Sequence, residues 1–362
     1  MPLRMRRLIV WMLLFCLLLA SCTRSKPATP APTPIPTAAV TPAAQATATP
    51  VPTQIAVAPS FTPTSAAQRQ LRGQINVTYP RKLVWAFGGQ LLGVITDAGL
   101  DVTRLANLTQ TRVMTITAPS RLVDFSADGH TMALTTDAGQ LLLQDINRGQ
   151  VTHTLQPPQR FLNARFSADG RSLVMAMEDL SASLWDVASG QLLKTLSGFQ
   201  TAAPVYDVFF AADGQHLIWV SRAKVQLMNV ASGELGVEFR HEDFVSAVAL
   251  TPDGRTLATA AAGTVNGNYV PLVKLWDVAS GKELAVLTFD NAVTSIAFSP
   301  DRRILAAASG TALSLWDVAS QKQLAVWQAH DDAIAHIAFS PDGATLASAS
   351  ADGTLKLWRT GP

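Results

Sequence analysis

The sequence predicts an all-β fold made by repeating a unit of four short strands, preceded by a segment that builds no core. Two markers predict it. The first is Phe-Ser-x-Asp-Gly at Phe125–Gly129 and Phe166–Gly170, with variants beginning at Phe210, Leu250, Phe298 and Phe339 at steps of 41, 44, 40, 48 and 41 residues. The second is Leu-Trp-Asp-Val at Leu184, Leu275 and Leu315, with Leu357-Trp358-Arg359 and the degenerate Leu143-Gln144-Asp145-Ile146 and Leu227-Met228-Asn229-Val230. Two markers held in phase over more than 200 residues define a structural repeat.

The chain opens differently. Arg4, Arg6 and Arg7 precede an apolar run from Leu8 to Leu19. Twelve residues make about 18 Å of helix against a hydrocarbon core of about 30 Å, so the run reads as a secretory signal over residues 1–21 and not as a span. Leu19-Ala20-Ser21-Cys22 closes it and resembles the lipobox of bacterial lipoproteins. That resemblance implies cleavage before Cys22 and its acylation. The expected location is the outer face of the cell membrane, or the outer membrane in a cell that has two.

Residues 22–72 are expected to form a tether. Between Thr23 and Gln68 there are ten prolines among 46 residues, mixed with Thr and Ala, and no acidic residue. Such a stretch buries too little apolar surface to offset the entropy of ordering. An extended, partly polyproline-II spacer is the expectation.

From residue 73 the repeat takes over. In the last unit, Ile334–Phe339, Thr345–Ser350 and Leu355–Trp358 read as strands separated by Pro-Asp-Gly and Ala-Asp-Gly turns. Val-Ala-Ser-Gly after Trp-Asp makes the next turn, and an outer strand follows. Full units begin near Leu122, Phe161, Val205, Val245, Val293 and Ile334, and Leu83–Thr117 reads as a divergent further unit. The last unit stops after its third strand. An orphan strand at Gln74–Tyr79 is expected to supply the fourth, which also removes an exposed edge.

These units resemble WD repeats. The resemblance implies a seven-bladed WD-repeat β-propeller of four-stranded antiparallel blades over residues 73–362. It also implies a hydrogen-bonded group inside a blade: His330, Ser348 or Ser350, Asp352 and Trp358. In units where Gln144 or Met228 replaces Trp, or where a partner is missing, apolar packing is expected instead.

No enzyme chemistry stands out. Lys and Arg number 28 and Asp and Glu 26, so composition suggests no nucleic-acid partner. Two cysteines and six dispersed histidines make no metal-ligand spacing, and neither a nucleophile elbow nor a phosphate-binding loop is present. No cofactor or metal is expected. Asp277–Leu284 also resembles the blade motif of quinoprotein dehydrogenases, which makes a propeller enzyme an alternative.

The expected function is a non-catalytic scaffold, a monomeric propeller that binds a protein or peptide partner and is held at a membrane by its lipid. An envelope sensor or assembly factor with one obligate partner is the second reading. The partner-binding face is expected where one blade is lengthened. Leu346 to Trp358 spans 12 positions but Leu257 to Trp276 spans 19, so seven extra residues fall in a loop within Ala260–Pro271. Asn266 and Tyr269 lie in it, and the entry loops add Glu242, Asp243, Asp290, Asp331 and Asp332, an acidic half-face suited to a cationic or hydrogen-bonding ligand.

Overall fold

A computed structural model of the chain describes residues 71–359 except 78–79, 87–88, 97–98, 105–108, 116–120, 198–204 and 212–213. The expected signal, Cys22 and almost all of the expected tether lie outside the described residues.

The described strands form seven four-stranded antiparallel sheets. Numbered along the chain, their first strands are Pro80–Ala86, Arg121–Phe125, Phe161–Phe166, Val205–Phe210, Ala247–Leu250, Val293–Phe298 and Ile334–Phe339. The second to seventh carry the repeat markers; the first is the divergent unit. Each of the first six takes four consecutive strands in order, the up-and-down path that short turns permit. First strands approach one another between the second, third and fourth sheets and between the fifth, sixth and seventh, and the seventh faces the first. This is an all-β propeller of four-stranded antiparallel blades.

The seventh sheet takes its outer strand from the other end of the chain. Leu71–Asn76 pairs antiparallel with Thr354–Arg359, in register from Gly73 opposite Leu357 to Asn76 opposite Thr354. The strand begins two residues before the boundary drawn from the sequence. Ile75 and Val77 are buried with Leu355 and Leu357, and the Val77 N–H donates to the Gly353 carbonyl at 2.8 Å. Thr78 and Tyr79, the expected end of this strand, lie outside the described residues, as does Phe87 of the divergent unit.

The core lies between sheets. Second and third strands are the most buried: Leu173–Met177 is fully enclosed, and so is Trp219. Each interface clusters apolar residues of two neighbours, as where Val225, Leu227 and Phe239 meet Leu257 and Trp276. The Ser/Thr-x-Asp turn is built alike in five sheets. The hydroxyl of Ser126, Ser167, Thr251, Ser299 or Ser340 donates to the Asp two residues on, at 2.5–2.7 Å. The next residue needs a positive φ; Gly129, Gly170, Gly254 and Gly343 supply it, and Arg302 adopts 67° in the same place.

Candidate functional site

In the seventh sheet the implied group forms one chain of hydrogen bonds. His330 Nδ1 lies 2.9 Å from Asp352 Oδ2 and 3.0 Å from Thr354 Oγ1, while Nε2 lies 2.7 Å from Ser348 Oγ. The Trp358 indole N–H donates to Ser348 Oγ at 2.8 Å. Burial holds His330 below the ordinary histidine value, against the opposing pull of Asp352. Burial works the other way on Asp352, but bonds from Thr354, the Asp331 N–H and His330 hold its carboxyl at about 2. The imidazole is therefore neutral and the carboxylate charged, so Nδ1–H donates to Asp352 and Nε2 accepts from the Ser348 hydroxyl. Ser350 stands apart. Its hydroxyl donates to the carbonyls of Asp332 and Ala333 at 2.8 and 3.1 Å and fixes the entry to the strand Ile334–Phe339.

The expectation of apolar packing fits Met228, fully buried in an apolar cluster, but needs correcting in the sheets that keep a hydroxyl partner. Trp276 donates to Thr259 Oγ1 at 2.7 Å, Trp185 to Ser183 Oγ at 2.7 Å, and Trp316 to Ser314 Oγ at 3.0 Å. Thr259 sits on the second strand like Ser348, opposite a lysine: Thr259 faces Lys274 and Ser348 faces Lys356. In the other two sheets the hydroxyl has crossed the ladder. Met175 faces Ser183 and Ala307 faces Ser314. A buried indole N–H needs an acceptor, and either strand provides one. Even Gln144, in a tryptophan position, donates its amide to the Gly149 carbonyl at 2.7 Å.

His241 was not singled out from the sequence, yet it precedes Val245 by the same four positions as His330 precedes Ile334. It packs edge-on against Trp276, with ring centroids 5.6 Å apart. Its Nε2 is buried without a hydrogen-bond partner, and burial, with Lys274, lowers its imidazole to about 4. In the fifth sheet the turn that supplies Asp352 in the seventh is displaced by the extra residues, so the histidine and indole remain without the carboxylate.

Those extra residues are not a loop. The strands Thr256–Val265 and Asn268–Asp277 pair without interruption from Leu257 opposite Trp276 to Val265 opposite Asn268. Asn266 and Gly267 turn the hairpin with φ of 51° and 79°, the two positive values that a tight two-residue turn demands. The extra length alone reads as a loop, but the flanking Thr, Val and Tyr suit a ladder.

The entry segment braces this hairpin. Glu242 Oε2 accepts from the N–H and hydroxyl of Thr264 at 3.0 and 2.9 Å. Tyr269 keeps 59% of its surface exposed, but its hydroxyl donates to Asp243 Oδ2 at 2.5 Å. That bond lowers the Asp243 carboxyl and raises the Tyr269 phenol. Glu242 and Asp243 are thus engaged in holding the hairpin. Asp331 and Asp332 are exposed, with the Asp331 N–H 3.1 Å from Asp352 Oδ2 and Asp332 Oδ1 accepting from Ala333 N–H at 2.7 Å. Asp290 is exposed ahead of the strand Val293–Phe298, and Asn266 is exposed at the hairpin tip. Among the described residues no group of three or more His, Cys, Asp or Glu is placed to hold a metal ion, and no helix is long and apolar enough to cross a membrane.

A family profile described as WD domain, G-beta repeat matches residues 233–266, 281–317 and 321–359. No curated protein matches the chain. The matched stretches run from the outer strand of the fourth sheet through the seventh sheet and include Trp316 and Trp358 with their hydroxyl partners, so these stretches are WD40 repeats of a β-propeller.

Proposed function

We propose that this protein is a non-catalytic scaffold whose partner docks on the face bearing the Thr256–Val265/Asn268–Asp277 hairpin. WD40 propellers fit protein-interaction scaffolds in general. The observation that carries the choice of face is Tyr269. It is a large exposed aromatic whose hydroxyl is fixed by Asp243 on a paired strand, so binding costs little side-chain entropy. Glu242 and Asp243 beside it, and Asp331 and Asp332 at the entry to the seventh sheet, supply negative charge that favours a cationic or hydrogen-bonding protein surface. In the same reading the propeller acts as a monomer, lipid-anchored through Cys22 and extended from the outer face of a membrane on residues 23–68.

Mild crosslinking followed by affinity capture tests the face. Tyr269→Ala and the pair Asp331→Lys/Asp332→Lys should each reduce capture of the crosslinked partner at unchanged melting temperature. Equal capture by parent and both variants places the site elsewhere. The anchor has its own test: mass spectrometry should find an acylated Cys22 at the mature N-terminus, and Cys22→Ala should leave the chain uncut or free of the membrane. A normally cut, membrane-bound Cys22→Ala protein refutes the anchor.

A further inference from the structure

Six of the seven first strands share an irregularity. Each has a register shift: between Pro80 and Lys82, Leu122 and Asp124, Phe161 and Asn163, Val205 and Asp207, Val293 and Ser295, and Ile334 and His336. In every case the residue after the shift is polar. A bulge re-aims the side chain beside it, and here the re-aimed side chains meet. Lys82 Nζ lies 2.6 Å from Asp124 Oδ1, and Asp124 Oδ2 accepts from the Phe166 N–H at 3.0 Å. Arg165 lies 3.2 Å from Asp207 Oδ2, while Asn163 donates to Asp207 Oδ1 at 2.6 Å and accepts from Arg165 at 2.8 Å. The bonds run from the first sheet to the fourth.

The same groups act on one another beyond neighbouring sheets. Burial lowers the Lys82 ammonium most, and Asp124, Arg165 and Asp207 all act on it, the last from three sheets away. His336, on the seventh sheet, is lowered to about 3 by burial and then by Lys82 and Arg165. The first strands of the seventh and first sheets lie side by side, as do those of the second, third and fourth, and the Phe166 N–H reaches Asp124, so these side chains share the inner edge of the ring. His336 Nδ1 is buried there without a hydrogen-bond partner. Small residues hold the matching positions of the other first strands: Ala247 and Ala249 in the fifth sheet, Ser295 and Ala297 in the sixth. Lys82 and Arg165 keep 24% and 22% of their side-chain surface exposed, so solvent reaches both.

For stability alone this is a poor lining, since desolvated ion pairs are often no better than apolar residues of similar volume. We propose that the inner edge of the ring is a binding site for a small organic carboxylate, held by Lys82, Arg165 and the unpartnered His336 Nδ1, with the alanine side of the ring giving it room. Charge selects a monoanion. Lys82, Arg165, Asp124 and Asp207 sum to zero, so a carboxylate leaves the cluster at −1, whereas a doubly charged phosphate leaves −2 in a poorly solvated space. The carboxylate can belong to a free small acid or to the C-terminus of a peptide.

Calorimetric titration of the full chain with acetate, an N-blocked dipeptide, the C-terminal amide of that dipeptide, and phosphate tests the site. Acetate or the free-acid dipeptide should bind with a dissociation constant below about 10 mM; tighter binding of the dipeptide assigns a peptide terminus and tighter acetate a free acid. The amide and phosphate should bind more weakly. His336→Ala breaks no hydrogen bond and both ion pairs remain, so it should still unfold in one cooperative transition and lose about tenfold in carboxylate affinity. The proposal is overturned if neither carboxylate binds, if amide or phosphate binds as tightly, or if His336→Ala binds as the parent does.

Discussion

The Trp316 indole N–H donates to Ser314 Oγ, two residues earlier on its own strand, at 3.0 Å, whereas Trp358 reaches across to Ser348 on the neighbouring strand at 2.8 Å. The cross-strand pairs Ala307–Ser314 and Ser348–Lys356 occupy matching places, so one hydroxyl has moved from one side of the ladder to the other. Ser314→Ala should cost about 1–3 kcal/mol by leaving a nearly buried N–H unsatisfied. Adding Ala307→Ser should recover part of the loss, because it recreates the Ser348 arrangement. Urea unfolding midpoints of the three proteins decide it. If the double variant is no more stable than Ser314→Ala, the two positions are not interchangeable.

Ring closure rests on Ile75, which is buried among Leu355, Leu357 and Val77. Ile75→Ala should cost about 2–4 kcal/mol, as for other buried aliphatic truncations. Deleting residues 71–76 should do worse, by exposing the edge of the strand Thr354–Arg359 as well. Thermal melts with light scattering check both. An unchanged melting temperature for the deletion would mean that the strand contributes nothing to closure.

Much of this was legible because turns and tryptophans are local signals. The Asp-Gly turns, the Trp-Asp strand ends and the unpartnered N-terminal strand each announce themselves within six residues. His330, Ser348, Asp352 and Trp358 were nominated by resemblance, and the structure brings them into one hydrogen-bonded chain. What was missed is non-local. Ser183 and Ser314 look like ordinary strand residues until the register shows which position each replaces. Lys82, Asp124, Arg165, Asp207 and His336 lie on separate repeats, and a one-residue bulge decides where each points. The hairpin at Asn266 is hidden in the sequence because length alone does not distinguish an inserted loop from an extended ladder.

Backbone strain offers a stabilising change. Gln321 holds a φ of 61° at the turn position where Gly190, Gly233 and Gly281 stand in the third, fourth and fifth sheets. A non-glycine residue there pays about 1 kcal/mol. Its amide also donates to the Leu284 carbonyl at 3.1 Å, but the contact is exposed and contributes little. Gln321→Gly should therefore raise stability by about 0.5–1 kcal/mol. Arg302→Gly, relieving a φ of 67°, should gain less, because it also removes the 2.5 Å ion pair with Asp253. Denaturant titration should rank Gln321→Gly above the parent; a ranking below it would show that the left-handed conformation is unstrained here.

Acid sensitivity follows from three histidines. Burial lowers all three: His241 to about 4 with help from Lys274, His336 to about 3 with help from Lys82 and Arg165, and His330 despite the opposing pull of Asp352. In the unfolded chain each titrates near 6.5, so below that pH the unfolded state takes up protons that the folded state refuses. Stability is then fully present above about pH 6.5 and falls as pH drops toward each folded value, by up to about 1.4 kcal/mol per pH unit for each histidine. Asp352 adds to the loss only in stronger acid: held at about 2, its contribution is complete above the ordinary value of 3.8 and disappears as pH falls through 2. Urea midpoints should be level between pH 8 and 7 and decline between pH 6 and 5. His336→Ala, which removes one of the three groups and breaks no hydrogen bond, should make that decline about a third shallower. A parent whose midpoint does not change between pH 7 and 5 would show that these imidazoles accept protons in the folded state, and with it that His330 does not sit neutral between Asp352 and Ser348.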